Sequence, residues 1–200
     1  MGLIGPRVVL RQWEDADLPA FATMNADDRV MEFFPRKLSA EESRAFFTGA
    51  RNAIVKRGWD FWAVEIGGEF AGFTGLGNPR FESHFTPCTE IGWRFRPEFW
   101  GKGYATEAAR LALLCAFSKL RLEEVVSFTA EVNVRSARVM QRLGMTHASK
   151  DDFDHPRLPA GHVLQRHVLY RMKNTAETLA RLETELGSEG RGHASGQRAL

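Results

Sequence analysis

The chain has 200 residues, a net charge of +2, and 44% hydrophobic against 26% charged residues. These values are ordinary for a globular protein and exclude wholesale disorder, a collagen-like repeat and a disulfide-rich mini-protein. The small net charge argues against direct nucleic-acid binding, and no long apolar run indicates a membrane span. We expect a cytoplasmic protein, since the N-terminus lacks a signal-peptide pattern and Cys88 and Cys115 lack metal-ligand spacing.

The first half of the chain predicts one strand, two helices and a two-stranded hairpin. The elements are a strand over 7–13, helices over 15–26 and 40–57, and strands over 59–66 and 69–76. Asp15 is the expected N-cap of the first helix, and Ser39 with Glu42 forms a capping-box pattern before the second. Gly67 and Gly68 predict a tight hairpin turn.

The second half predicts three strands and two helices. They are strands over 88–96, 124–130 and 163–172 and helices over 104–120 and 134–143. The order of elements does not alternate strictly, which disfavours a doubly wound sheet. A mixed sheet with helices on both faces fits better, and a parallel crossover is required only between residues 88 and 130.

We expect one folded domain over residues 1–173, followed by a short helix and a flexible tail over 174–200. Leu179, Leu182 and Leu186 fit one helical stripe in this tail. The residues beyond Gly187 are too polar to support a core. The leucine stripe leaves open a scaffold dimer that is joined through it.

The most informative stretch precedes the longest predicted helix and reads RPEFWGKGYATEA. Free amides at a helix start point outward, and the helix dipole favours an anion there. Gly101 and Gly103 allow close approach of a phosphate, Lys102 adds positive charge, and Ala105 keeps the helix close. A nucleoside-triphosphate loop needs Ser or Thr after the lysine, and Thr106 departs from the dinucleotide fingerprint. A coenzyme A pyrophosphate site and a glycine turn without a ligand stay open.

The sequence resembles the GNAT superfamily of acyl-CoA N-acyltransferases over residues 7–173. The family motif Gln/Arg-x-x-Gly-x-Gly/Ala is matched by WGKGYA, in which Trp100 departs from the first position. That departure and the continuation YATEA resemble the RimJ/RimL-type branch, which acetylates the N-termini of ribosomal proteins. The segments NADDRVM at 25–31, TEIGW at 89–93 and NVRS at 133–136 resemble further parts of these enzymes.

The resemblance implies an α/β fold with a mixed, mostly antiparallel sheet that splays between its fourth and fifth strands. It implies acetyl-CoA as co-substrate, no metal, and direct attack by an amine in a ternary complex. Backbone groups near Trp93 and Phe95 would pair with the pantetheine arm, and Asn133 would contact the pantetheine or thioester side. The pyrophosphate is expected on the amides of Gly101, Lys102, Gly103, Tyr104, Ala105 and Thr106.

Three residues are candidates for proton transfer. Glu90 is the single acid in the apolar run CTEIGW, where burial would raise its pKa towards neutrality and suit it as a general base; a structural carboxylate is the alternative. His84 is a second candidate base. Many members of the superfamily use a tyrosine as general acid, but the matching position is Met140. Ser136, or a water that it holds, is the substitute candidate.

The acceptor is expected to be a primary amine, such as a peptide or protein N-terminus, while polyamines and antibiotics stay open. The loops at 27–38, 78–87 and 151–162 would build its pocket. The aromatic residues that could line this cleft or pack in the core are Phe33, Phe34, Trp59, Trp62 and Trp93. A non-catalytic acyl-CoA-binding module also stays open, as do a monomer and a homodimer.

Overall fold

A computed structural model describes residues 2–194, with side chains as far as Ser188. Its strands form one mixed sheet in the order β1-β2-β3-β4-β5-β6-β9-β7, with β8 paired to β9. The strands are β1 (Leu3–Ile4), β2 (Val9–Arg11), β3 (Phe61–Ile66), β4 (Glu69–Gly77), β5 (Glu90–Phe95), β6 (Glu124–Ala130), β7 (Thr146–His147), β8 (Phe153–Asp154) and β9 (Arg166–Lys173).

Helices cover both faces of the sheet, as the sequence predicted. They are α1 (Asp17–Ala26), α2 (Asp28–Met31), α3 (Ala40–Arg57), α4 (Tyr104–Leu114), α5 (Val134–Arg142) and α6 (Ala176–Ala194). Phe21 of α1 and Phe46 of α3 pack their rings against Phe73 of β4, whereas α4 packs against the opposite face of β4 and β5. None of the described helices is both long and apolar enough to cross a membrane.

The sheet separates between β5 and β6. All other strand pairs are antiparallel, but β5 and β6 run parallel and share a single bridge, from Glu90 to Val126. The crossover between them contains α4, which is long enough to return the chain to the same edge of the sheet. The predicted splay between the fourth and fifth long strands is therefore confirmed.

Short-range patterns mostly led to the expected local structure. The side chain of Ser39 accepts from the amide of Glu42, whose carboxylate accepts from the amide of Ser39 in return, so the capping box is confirmed. The hairpin turn at Gly67 and Gly68 is confirmed too, because both residues have positive φ. The N-cap assigned to Asp15 is wrong, since α1 begins after Ala16 without a side-chain cap.

The leucine stripe of α6 packs against its own chain. Leu182 is fully buried and Leu186 is nearly so, and Glu185 forms an ion pair with Arg110 of α4. The helix continues past Gly187 to Ala194. The stripe is thus used within the chain and gives no support to a scaffold dimer. The division at residue 173 stays a prediction, and residues 195–200 of the expected tail lie outside the described residues.

Candidate active site

A row of unpaired backbone amides lies at the start of α4. Gly101 and Gly103 both have positive φ, and Gly103 is the N-cap residue. The amides of residues 101–106 donate to no acceptor within residues 2–188, and the first intrahelical bond runs from the Glu107 amide to the Gly103 carbonyl. Unpaired amides beside the positive end of a helix dipole form a site for a phosphate group. The residues present therefore fit a pyrophosphate.

Two cationic side chains flank these amides. Lys102 is exposed, and its Nζ donates to the Glu98 carbonyl over 2.9 Å. Arg7 donates to the Lys102 carbonyl over 3.1 Å, and its Nη2 lies 3.4 Å from where a Cβ on Gly103 would be. Arg7 could not be predicted from the sequence, because nothing local places the N-terminal segment beside residue 103.

A buried carboxylate holds the start of α4 against the N-terminal segment. Glu107 is fully buried and accepts from the Arg7 amide over 2.7 Å, from Arg7 Nε over 2.6 Å and from the Val8 amide over 3.2 Å. These bonds compensate the loss of hydration of the carboxylate. Glu107 therefore positions the phosphate-binding amides without touching a ligand itself.

Replacing Glu107 with alanine should destabilise the protein by about 3–5 kcal/mol, because it leaves the Arg7 side chain and two amides without their buried partner. The free energy of unfolding from urea titration measures this change. Glu183→Ala, which removes an exposed carboxylate from α6, is the matched control and should change stability by less than about 0.5 kcal/mol. Equal unfolding midpoints for the two variants would contradict the anchoring role.

The gap between β5 and β6 exposes backbone groups of β5. The Arg96 amide donates to the Ala71 carbonyl, so along the alternating strand the amides of Trp93 and Phe95 point away from β4 and towards the gap. Near the closed end, the hydroxyl of Ser127 donates to the Ile91 carbonyl over 2.9 Å. The open stretch beyond it suits an extended amide-containing chain that pairs with a strand edge.

Asn133 and Ser136 lie together at the start of α5. Asn133 caps this helix, and its Nδ2 donates to Thr129 Oγ1 over 2.9 Å and to Ser136 Oγ over 3.2 Å. The hydroxyl hydrogen of Ser136 is not used by this bond. Met140, at the position of the family's tyrosine, is buried and has no proton to give.

Glu90 lies at the point where β5 and β6 separate. Its Oε1 is near Gly77, where an added Cβ would be 3.3 Å away, and the same Cβ would be 3.0 Å from the Phe61 ring. No ion pair or hydrogen bond reaches the Glu90 carboxylate from the residues that the structure describes. Burial raises the pKa of Glu90 to about 7. The carboxylate is thus suited to accept a proton near neutral pH.

The histidines of the region are weaker candidates. His84 is exposed and packs edge-on against Phe85. His155 and His167 lie 4.9 Å apart, ring centre to ring centre, among Phe81, Phe128 and Phe153. Burial lowers the pKa of His155 to about 4 and also lowers the pKa of His167. Both rings are neutral at pH 7 and contribute an aromatic wall.

Of the five aromatic candidates for the acceptor cleft, two lie beside arginines near the surface and three lie elsewhere. Phe34 is exposed and covers Arg94, while Phe33 lies beside Arg135. The other three are elsewhere: Trp62 is buried on the α4 face, Trp59 is covered by Arg57, and Trp93 packs against the core on the α4 face. Strand alternation accounts for this, because neighbouring residues of a strand point to opposite faces.

The chain is similar to known proteins in sequence and in fold. The family model for the acetyltransferase (GNAT) domain matches residues 7–146. The chain belongs to the GNAT acetyltransferase family. It is 33% identical over 174 residues to FsC-acetyl coenzyme A-N(2)-transacetylase of Aspergillus fumigatus, covering 79% of this chain and 73% of that protein.

Solved structures of GNAT proteins have the same fold. The GNAT acetyltransferase from Bacillus anthracis is 27% identical and matches with a TM-score of 0.70, covering 87% of this chain and 99% of that one. Mycobacterium smegmatis RimJ, solved with CoA-disulfide, matches with a TM-score of 0.69 at 20% identity, covering 92% and 93%. At this identity, the similarity to RimJ shows a shared fold.

As a GNAT acetyltransferase, the protein uses acetyl-CoA and acts on an amine. Acetyl-CoA is a ligand that fits two features already described: the unpaired amides at the start of α4 and the opening between β5 and β6. The alternative of a non-catalytic acyl-CoA-binding module is therefore not supported, and the protein is an enzyme.

Proposed function

We propose that the protein transfers the acetyl group of acetyl-CoA to the N-terminal α-amine of a peptide or protein, by direct attack in a ternary complex. The observation that carries this proposal is Glu90. It is a largely buried carboxylate without a charged partner among the described residues, at the end of the gap that would hold the thioester. We also propose that the protein belongs to the RimJ/RimL-type branch, which its motifs resemble, and that it is cytoplasmic.

Each part of the site has a role in this reaction. The amides of residues 101–106 hold the pyrophosphate, and the backbone of Trp93 and Phe95 pairs with the pantetheine arm, while Asn133 borders its thioester end. One backbone amide of this open edge donates to the carbonyl oxygen as negative charge develops. Glu90 takes the proton of the attacking ammonium group.

The bond changes balance without a further reactant. The amine nitrogen forms a bond to the acetyl carbon, and the carbon–sulfur bond breaks to release the thiolate of coenzyme A. Ser136 is the candidate donor of a proton to this thiolate, since its hydroxyl hydrogen is not used by Asn133. A thiol with a pKa near 8.5 leaves readily, so an acid has less to contribute than the base.

The acidity of the two common acceptor amines favours the α-amine. With a pKa near 7.7, roughly 17% of an α-amine is neutral at pH 7, against about 0.04% of a lysine amine with a pKa near 10.4. The difference corresponds to about 3.7 kcal/mol of deprotonation free energy. Met140 stands where many family members have an acid, so the chain has one carboxylate base and modest acid–base machinery. The α-amine, which is the easier of the two amines to deprotonate, therefore fits this site best.

Matched peptides test this assignment. One peptide has a free N-terminus and a blocked lysine, and the other has a blocked N-terminus and a free lysine. Thiol release at pH 7 should be on the order of 100-fold faster with the first peptide, because its amine is easier to deprotonate. An equal or faster reaction of the lysine peptide would show that the α-amine assignment is wrong.

A small amine is the second candidate acceptor. The observation that favours it is the relative from Aspergillus fumigatus, which is named for acetyl transfer to an N(2) nitrogen of FsC. A panel of polyamines and amine-bearing small molecules, assayed beside the two peptides, separates the candidates. The small-amine function is supported if one panel member gives a higher kcat/KM than the α-amine peptide.

A further inference from the structure

Arg94 is a cation on the same face of β5 as Glu90, and it has no anionic partner among the described side chains. Its Nη1 donates to Asn25 Oδ1 over 2.6 Å, and its guanidinium carbon lies 4.1 Å from the centre of the Phe34 ring and 5.3 Å from that of Phe73. No carboxylate forms an ion pair with it among the side chains described, residues 2–188, and its Nε is sealed from solvent without an acceptor. Cations in protein interiors are normally paired, so a site that leaves one unpaired is built for an incoming anion.

The unused edge of this guanidinium has the geometry for a carboxylate. Asn25 occupies Nη1, which leaves Nε and Nη2 side by side. Two parallel N–H groups of this kind bind the two oxygens of one carboxylate. The ring of Phe34, which is 38% exposed, lies over the guanidinium, so an acceptor that reaches Arg94 from this side would displace that ring.

Arg94 and Glu90 point to the same face of β5, with the ring of Phe61 over the stretch between them. Residues 90, 92 and 94 point to the same face of β5, and the middle one is Gly92, which has no side chain. The Phe61 ring lies 3.4 Å from where a Cβ on Gly92 would be, and 3.0 Å from where one would be on Gly77, which lies opposite Glu90 on β4. The Cα atoms of Glu90 and Arg94 are about 13 Å apart in an extended strand, the length of about four extended residues.

We propose that Arg94 binds a carboxylate of the acceptor and makes the enzyme selective for α-amine peptides with an acidic group about three to four residues after the reacting amine. The inference rests on the proposed function and adds a substrate class to it. Arg94 would be a specificity-determining residue, while the proton transfer stays with Glu90.

A peptide scan tests this proposal. In a neutral hexapeptide with a free N-terminus, one aspartate is moved through positions 2 to 6, with asparagine at the same position as reference. We expect kcat/KM for aspartate to exceed that for asparagine by roughly 10- to 100-fold at position 4 or 5, as for a hydrogen bond to a charged group. Equal values at all positions would overturn the proposal.

Variants separate a carboxylate-binding role from a structural one. Arg94→Met should abolish the aspartate preference while acetyl-CoA affinity stays unchanged, and Arg94→Lys should keep a reduced preference because lysine cannot form the paired bonds. Arg44→Met, which removes an exposed cation from α3, should keep the full preference. A uniform loss of rate with both peptides in Arg94→Met and Arg94→Lys would identify Arg94 as structural and overturn the proposal.

A binding measurement keeps this inference distinct from the proposed function. If no peptide is acetylated, the α-amine function fails, and the same peptides are titrated calorimetrically into the acetyl-CoA-saturated protein. Tighter binding of the aspartate peptide by the original protein than by Arg94→Met would still support the carboxylate site. Equal binding by the two proteins would overturn it.

Discussion

Glu90→Gln should lower kcat/KM for an α-amine peptide by roughly 10²- to 10⁴-fold near pH 7.5, with acetyl-CoA affinity unchanged. The amide keeps the size of the side chain but cannot accept a proton from the attacking ammonium group. Stopped thiol-release assays give the rate, and calorimetry gives the affinity. Glu183→Gln, on the exposed side of α6, is the control and should retain full activity.

The pH profile identifies the base. Burial raises the pKa of Glu90 to about 7, so the rate of the original protein should fall as pH drops through 7 and the carboxylate is protonated. The variant lacks this group, and its rate should follow the ionisation of the acceptor amine alone. The defect should therefore be largest near pH 7.5 and shrink above pH 9, where the amine is already neutral. A defect of constant size across this range would contradict a role in proton transfer.

Glu90→Gln should lower activity, but it should not lower the stability of the folded protein at high pH. The pKa of Glu90 is higher in the folded than in the unfolded protein, so the folded state binds more protons between about pH 4.3 and 7. The contribution of Glu90 to stability is therefore present below this range and is lost as pH rises through it. Glu90→Gln has no carboxylate to ionise, so its stability does not fall over this range. At pH 8 its Tm should equal or exceed that of the original protein. A lower Tm at both pH 5 and pH 8 would indicate a structural carboxylate.

Gly103→Asp should weaken acetyl-CoA binding by at least about 100-fold. The residue has positive φ, which strains any side chain, and the new carboxylate would lie among the amides that hold a pyrophosphate. It would also lie beside Arg7, since a Cβ at this position is 3.4 Å from Arg7 Nη2, and would neutralise that cation. Calorimetric titration with acetyl-CoA measures the loss.

Two variants isolate the charge from the strain. Gly103→Ala has the same backbone penalty without a charge and should bind more tightly than Gly103→Asp. Gly58→Asp adds the same side chain at the end of α3, where φ is also +83° and no atom lies within 4 Å of the new Cβ. It should bind acetyl-CoA normally. Equal affinities for Gly103→Ala and Gly103→Asp would show that no anion is held at this helix start.

The features that could be predicted from sequence depend on residues close together in the chain. The capping box at Ser39 and Glu42 and the hairpin at Gly67 and Gly68 involve contacts across one to three residues, so composition at those positions was enough. Asp15 shows the limit of this reasoning. Its carboxylate was an acceptable cap, but it forms an ion pair with Arg51 of α3 instead, and α1 begins two residues later.

Part of the candidate site could also be predicted from the sequence. Gly101 and Gly103 before a helix indicated a phosphate-binding turn, and a single acid in an apolar strand indicated a carboxylate with a raised pKa. Whether Asn133 and Ser136 act on the substrate stays a prediction, since their contacts with each other serve helix capping equally well.

What the sequence determined by itself was the order of the elements, the glycine turn at the start of α4 and the place of Glu90 in a strand. Only the tertiary structure decided which side chains meet across long separations. Arg7 and Glu107 are 100 residues apart in the chain, and Arg94 and Asn25 are 69 apart. It likewise decided that Leu182 of α6 packs against its own chain. Such pairings follow from how the sheet and helices pack, because a charge or an apolar stripe carries no information about its distant partner until the fold brings the two together.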